Sequence, residues 1–201
     1  KIVKHCLEHN VHVFVEKPLG WSVAEAEEVA LLSLQRKKQV MVAFMKRFAP
    51  SYLKMLETIS SIGKTVSVNG LFAVRSFGSD IEYFIRNVAI HYIDLLQLVL
   101  NRFQSINGFQ ISTSDGVAIS LSFKSANSII GTMFFVGMSA WNKHHEELTI
   151  TGTGGYVKVD NLRTVIIHNN LSNLPKARNG WQVMDQEERL ITSINTPRSG
   201  G

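Results

Sequence analysis

The sequence predicts an α/β remnant followed by an α+β domain whose sheet is largely antiparallel and open. Three observations predict it. Near the start, two short apolar runs flank one amphipathic helical stretch, the pattern of a βαβ unit in a parallel sheet. From Phe103 to about His168 the pattern changes to short strands separated by turn residues. The chain has 201 residues, 45% of them hydrophobic, enough to bury a sizeable core.

The elements follow in order. Ile2 to His9 carries apolar residues at helical spacing and begins without a capping residue. That start suggests a chain cut inside an element, and so a fragment of a longer protein. Val11-His12-Val13-Phe14-Val15 is β-branched and nearly all apolar, which reads as a strand buried on both faces. Ser22-Val23-Ala24-Glu25 has the form of a capping box. The helix behind it should run to about Lys37, with Val23, Ala26, Val29, Ala30 and Leu32 or Ser33 facing inward. Gln39 to Phe44 is the second strand. Lys17 and Arg47 then follow the C-terminal ends of the two strands, where open parallel sheets bind ligands.

A helix follows Pro50 to about Ile62, stopped by Gly63 as a C-cap. Thr65 to Val74 reads as a strand and Asn87 to Leu100 as an amphipathic helix. The later strands are Gln104–Ile111, Val117–Phe123, Ile129–Val136, Leu148–Thr151, Tyr156–Val159 and Val165–His168, spaced as an antiparallel meander. The boundary falls near residues 45–50, giving parts 1–47 and 48–201. Residues 169–201 are polar, weakly patterned and left unassigned.

Composition excludes several classes. Charged residues make up 18% and the formal charge is +5. The longest basic run, Arg36-Lys37-Lys38, suits a solvated helix end. No interleaving of basic and aromatic residues points to nucleic acid. The single cysteine, Cys6, excludes an internal disulfide and reads as a small apolar residue. No apolar run has the length of a membrane span, and the start lacks a signal peptide's apolar stretch. These features predict a soluble, cytoplasmic protein.

The motifs narrow the function. Val13-Phe14-Val15-Glu16-Lys17-Pro18-Leu19 is followed one strand later by Arg47-Phe48-Ala49-Pro50. Ser61-Ile62-Gly63-Lys64 precedes a strand, and Ile90-His91-Tyr92-Ile93-Asp94-Leu95-Leu96 lies on the next helix. Gly152-Thr153-Gly154-Gly155 precedes a strand and reads as a hairpin turn, not a dinucleotide fingerprint. In this order the five features resemble the Gfo/Idh/MocA family, whose members are nicotinamide-dependent oxidoreductases of sugars, cyclitols and related alcohols. The resemblance covers about residues 11 to 160. It implies that residues 1–47 are the end of a Rossmann domain and that 48–201 form the substrate-binding and oligomerisation domain.

The resemblance also implies roles. Lys17 and His91 would be catalytic and manage the proton of the substrate hydroxyl, while Asn87 and Asp94 orient it. Glu16, Lys17, Pro18 and Arg47 would border the nicotinamide of NAD or NADP in the intact protein. The Lys17–Pro18 peptide is expected to be cis. On residue type alone, Lys17 reads as a surface lysine, His91 as a satisfied core histidine and Asp94 as a surface acid. At helical spacing Asn87, His91, Asp94 and Leu95 share one face. Many active relatives have Asp where this chain has Asn87, and an amide cannot take a proton. A second expectation is therefore a non-catalytic binding or scaffold protein that keeps the fold. No Gly-x-Gly-x-x-Gly follows a strand here. His144-His145-Glu146 is not read as a metal site, because neighbouring strand residues point to opposite faces. The remaining partners expected are a small-molecule substrate and further copies of the chain, joined through the antiparallel sheet. Ile130, Thr132, Phe134 and Val136 alternate with Ile129, Gly131, Met133 and Phe135, so large groups fall on both of its faces.

Overall fold

A computed structural model describes residues 1–169 and 188–192. Helix α1 (Ile2–Glu8) leads into β1 (Val13–Val15), helix α2 (Val23–Arg36) and β2 (Val40–Val42). The two strands pair in parallel, Phe14 opposite Met41. Ser22 Oγ accepts from the Glu25 backbone N–H at 3.2 Å. The carboxylate of Glu25 accepts from the Trp21 N–H at 2.7 Å rather than from Ser22, a one-residue variation on the capping box. Lys37 ends the helix with φ +53°. Val29 is buried, but Val23 is 75% exposed. Phe14 and Met41 are also exposed, so the strands are not covered on both faces as expected. Among the described residues only α1 and α2 accompany this pair, which leaves one face of it open.

A 3-10 turn (Met45–Phe48) joins β2 to α3 (Pro50–Thr58), and a second 3-10 turn (Ile59–Ile62) follows. Gly63 closes it at φ +77°, where a Cβ would stand 2.5 Å from Thr153 Oγ1. Backbone conformation and the neighbouring hairpin therefore both require glycine there. β3 (Thr65–Val74) comes next. The helix expected from Asn87 begins earlier, at α4 (Ile81–Phe84), capped by Asp80. A π-turn (Ile85–Ala89) connects it to α5 (Ile90–Leu100).

The strands β4 (Phe103–Thr113), β5 (Gly116–Ser125), β6 (Ile130–Met138), β7 (His145–Gly152), β8 (Gly155–Asp160) and β9 (Thr164–Asn169) complete the sheet with β10 (Glu188–Thr192). β10, in the unassigned tail, pairs antiparallel with β9. The strand order is β10-β9-β8-β7-β3-β6-β5-β4. This is not a simple meander. β3 lies between β6 and β7, parallel to β6 and antiparallel to β7.

One sheet face carries the core. Val68, Phe72, Ile119, Met133, Phe135, Leu148 and Ile150 pack with Tyr52 and Met55 of α3 and with Tyr92, Leu95 and Leu100 of α5. Alternation along β6 turns Ile130 and Phe134 to the opposite face, where they are 58% and 45% exposed. Their neighbours there are mainly polar. Ser120 pairs with Phe134, Ser122 with Thr132 and Lys124 with Ile130. Val136, which the alternation assigns to this face, is 6% exposed.

Candidate functional site

Lys17 leaves the C-terminal end of β1, and the Lys17–Pro18 peptide is cis, as the resemblance implies. The lysine is half-buried, and its Nζ donates to the backbone carbonyl of Asn87. That carbonyl sits in the π-turn. A π-turn bonds i to i+5 and interrupts the α-helical ladder. It also breaks the 3.6-residue spacing by which Asn87 was expected to share a face with His91. The Asn87 side chain turns back on its own helix, Nδ2 donating to the Tyr83 carbonyl at 3.0 Å. Asn87 thus meets Lys17 through its main chain.

His91 is the second residue of α5. Its Nδ1 is buried and has no hydrogen-bond partner among the described residues. Burial first, then the positive charges of Lys17 and Lys46, push its pKa down to about 4, against the opposing charges of Glu16 and Asp94. His91 is therefore a neutral imidazole at physiological pH. In the unfolded chain histidine titrates near 6.5, so between pH 6.5 and 4 acid adds this proton to the unfolded state first. The histidine's contribution to stability is lost as pH falls through that window.

Arg47 and Asp94 were expected to serve the cofactor and the substrate separately. The structure joins them to each other. Arg47 Nε and Nη2 donate to the two carboxylate oxygens of Asp94, each at 2.5 Å. Such a two-pronged pair fixes geometry as well as charge. It ties the turn after β2 to α5. Glu16 is exposed and Pro18 half-buried beside Lys17.

Sequence reasoning missed a second ion pair one residue away. Lys46 Nζ donates to Glu146 Oε2 at 2.5 Å, with side chains 7% and 5% exposed. The ammonium lies 4.6 Å from the Tyr92 ring centre, 5.6 Å from Phe72 and 6.0 Å from Tyr52. Tyr52 donates its hydroxyl to Glu146 Oε1 at 3.2 Å. Burial pulls the lysine's pKa below its ordinary value, and Glu146 opposes that. Burial also pushes the Tyr52 and Tyr92 phenols well up. One signal was available. Glu146 shares a strand face with Leu148 and Ile150, and an acid in a buried apolar row requires a partner. His144 and His145 diverge as expected: one ring lies 6.4 Å from Phe72, while the other stacks on Trp141 at 5.8 Å.

Residues 1–44 match the sequence pattern of the Gfo/Idh/MocA oxidoreductases, described as an NAD-binding Rossmann fold. The inositol 2-dehydrogenase of Rubrobacter xylanophilus is 23% identical over 192 residues, spanning 90% of this chain and 55% of that protein. Over these 44 residues the chain is similar to the Gfo/Idh/MocA oxidoreductases. The fold agrees with other solved structures. An inositol dehydrogenase homologue from Azotobacter vinelandii, complexed with NADH and myo-inositol, superposes with a TM-score of 0.75 at 16% identity. It covers 95% of this chain and is itself covered over 52%. A super-repressor mutant of Gal80p from Saccharomyces cerevisiae gives 0.77 at 17% identity, with coverage of 98% and 59%. The chain thus spans 52–59% of the length of these three proteins. No helix among its described residues is long and apolar enough to cross a membrane.

Proposed function

We propose that the protein carrying this chain is a NAD(P)-dependent oxidoreductase that moves a hydride between nicotinamide and a carbinol carbon of a sugar, cyclitol or related alcohol. One observation carries the reading: Lys17, at the C-terminal end of a parallel strand, bonds the carbonyl of Asn87, four residues before His91, whose Nδ1 has no partner among the described residues and whose imidazole feels the Lys17 charge. That edge fits a nicotinamide, which Glu16, Lys17 and Pro18 would border. When bound, the dinucleotide supplies the hydride acceptor or donor.

The chain's own residues handle the proton. Lys17 hydrogen-bonds the reacting oxygen and stabilises its charge. His91, neutral above about pH 4, accepts or returns the hydroxyl proton. Asp94 and Arg47 act together by holding α5 against the turn after β2. Asn87 holds Lys17 through its carbonyl. The reading divides the chain at 47/48 into a dinucleotide-binding part and a substrate-binding part, in a cytoplasmic protein.

The test is a panel of polyols and sugars assayed with NAD and with NADP on the intact protein. Reduction of either dinucleotide by one substrate class is the expected result. An intact protein that binds neither dinucleotide would instead be a non-catalytic relative, a reading that Asn87 and the likeness to Gal80p favour.

We also propose that copies associate through the open sheet face around Ile130, Phe134 and Phe109, which are 58%, 45% and 86% exposed. An exposed apolar patch flanked by polar rows is a common interface composition. Light scattering should give a dimer or larger species. A dilution-stable monomer excludes this interface.

A further inference from the structure

We propose that β4 is a strand-addition edge for a second copy of this chain: the β4 strands of two copies pair antiparallel and join their sheets into one. This surface is separate from the open-face contact proposed above and does not depend on it.

The two edges of the sheet are built differently. At one end lies β10, five residues long, with Glu188 and Arg189 on it. At the other lies β4, eleven residues long, reading Phe-Gln-Ser-Ile-Asn-Gly-Phe-Gln-Ile-Ser-Thr, with neither a charge nor a proline. Edge strands are ordinarily kept short, charged or broken by proline, because their outer N–H and C=O groups invite another strand. β10 follows that rule and β4 departs from it. The one irregularity of β4, between Phe103 and Ser105, lies at its start and leaves the rest of the edge regular. Ile106, Phe109 and Ile111 are each more than half exposed. Ile106 lies on the helix-side face opposite Phe123, and Phe109 and Ile111 on the open face opposite Ser120 and Ala118.

Residues 170–187 and 193–201 do not supply the missing partner. Seven strand spacings, about 34 Å, separate β10 from β4. The nine residues after Thr192 extend at most about 32 Å. Residues 170–187 join β9 to β10 and must return to that far edge.

A second β4 fits by its own pattern. The antiparallel register that pairs the whole strand sets Gly108 against Gly108 and Ile106 of one copy against Gln110 of the other. Gln110 faces the helices, as its β5 partner Ile119 does. Between that face and the helical segment 85–93 lies a groove of about 200 Å³, lined by Ile85, Ile93, Gly108, Gln110, Ile119 and Leu121. The incoming Ile106 enters this groove, and the exchange is reciprocal. On the open face the two Phe109 rings become diagonal neighbours, within reach of each other. A contact one strand wide and about 37 Å long is smaller than a standard interface, so the dimer belongs to the concentration-dependent class.

The experiment follows hydrogen exchange of the β4 amides by mass spectrometry on the intact protein, over a dilution series, with sedimentation velocity at each concentration. The outward-pointing β4 N–H groups should exchange about tenfold or more slowly in the concentrated dimer than in the dilute monomer. Ile106→Lys with Gln110→Lys sets like charges opposite each other across the joined strands. It should weaken association by about tenfold or more and remove the concentration-dependent protection. If that variant does not fold, Gln110→Lys alone, at an exposed position, provides the same reading. Phe134→Lys, two strands away on the open face, should leave the β4 protection as in the wild type. The two surfaces are thereby told apart. β4 amides that exchange fast at every concentration overturn the proposal, since the edge is then unpaired even if copies associate. Equal protection in the dilute monomer also overturns it, because a segment of the same chain then covers the edge.

Discussion

Replacing Lys17 by alanine in the intact protein is expected to lower turnover by about two to four orders of magnitude, the range of one positioned proton-transfer group. Two losses combine in this variant. On the proposed reading the reacting oxygen loses the cation that hydrogen-bonds it, and the Asn87 carbonyl loses the donor that ties the π-turn to the end of β1. The first loss acts in the transition state and should fall mainly on kcat. The second loosens the ground-state site and should raise KM. Lys17→Arg separates them, since it keeps a charge but not the compact ammonium. Steady-state kinetics on the three proteins measure the split. Turnover unchanged in Lys17→Ala would remove Lys17 from the chemistry and leave it a bond between two elements.

The second large effect is on stability. Lys46→Ala leaves Glu146 buried with no cation, a change that costs about 3–5 kcal/mol when the pair is this enclosed. Total stability of a domain is about 5–15 kcal/mol, so the single variant should sit close to unfolding at room temperature. Removing both charges costs less, because no buried charge is then left without its partner. Urea denaturation of Lys46→Ala and of the double variant Lys46→Met/Glu146→Leu gives the comparison. A Lys46→Ala protein as stable as the wild type would mean that water reaches Glu146.

The two ion pairs also mark where sequence reading stops. Periodicity located α2 and its cap, because Ser22 and Glu25 act within a few residues of each other. It located the β3 span as Thr65–Val74, because a strand's alternation is local. Gly63 was legible for the same reason. The partner of Lys46 lies a hundred positions away on β7, and no local pattern carries that information. The π-turn was invisible as well. Its extra residue moves Asn87 off the face that a regular helix would give it, and the Asn87 carbonyl accepts from Lys17, seventy positions away. Asp94 looked like a substrate contact because its partner, Arg47, is distant in sequence and was assigned to the cofactor.

The position of β3 has a consequence for how the chain folds. The hairpins β4–β5–β6 and β7–β8–β9 each join strands adjacent in sequence, so each can form with little loop-closure entropy. Neither contains the centre of the sheet. Val68 must find Gly131 on one side and Ile150 on the other, two long-range pairings that raise the contact order of an otherwise local topology. The strand made earliest is thus the last to be enclosed. Until it docks, two half-sheets each expose the edge that β3 will cover, and on contact-order grounds that docking, more than the meanders on either side, is expected to set the rate of folding.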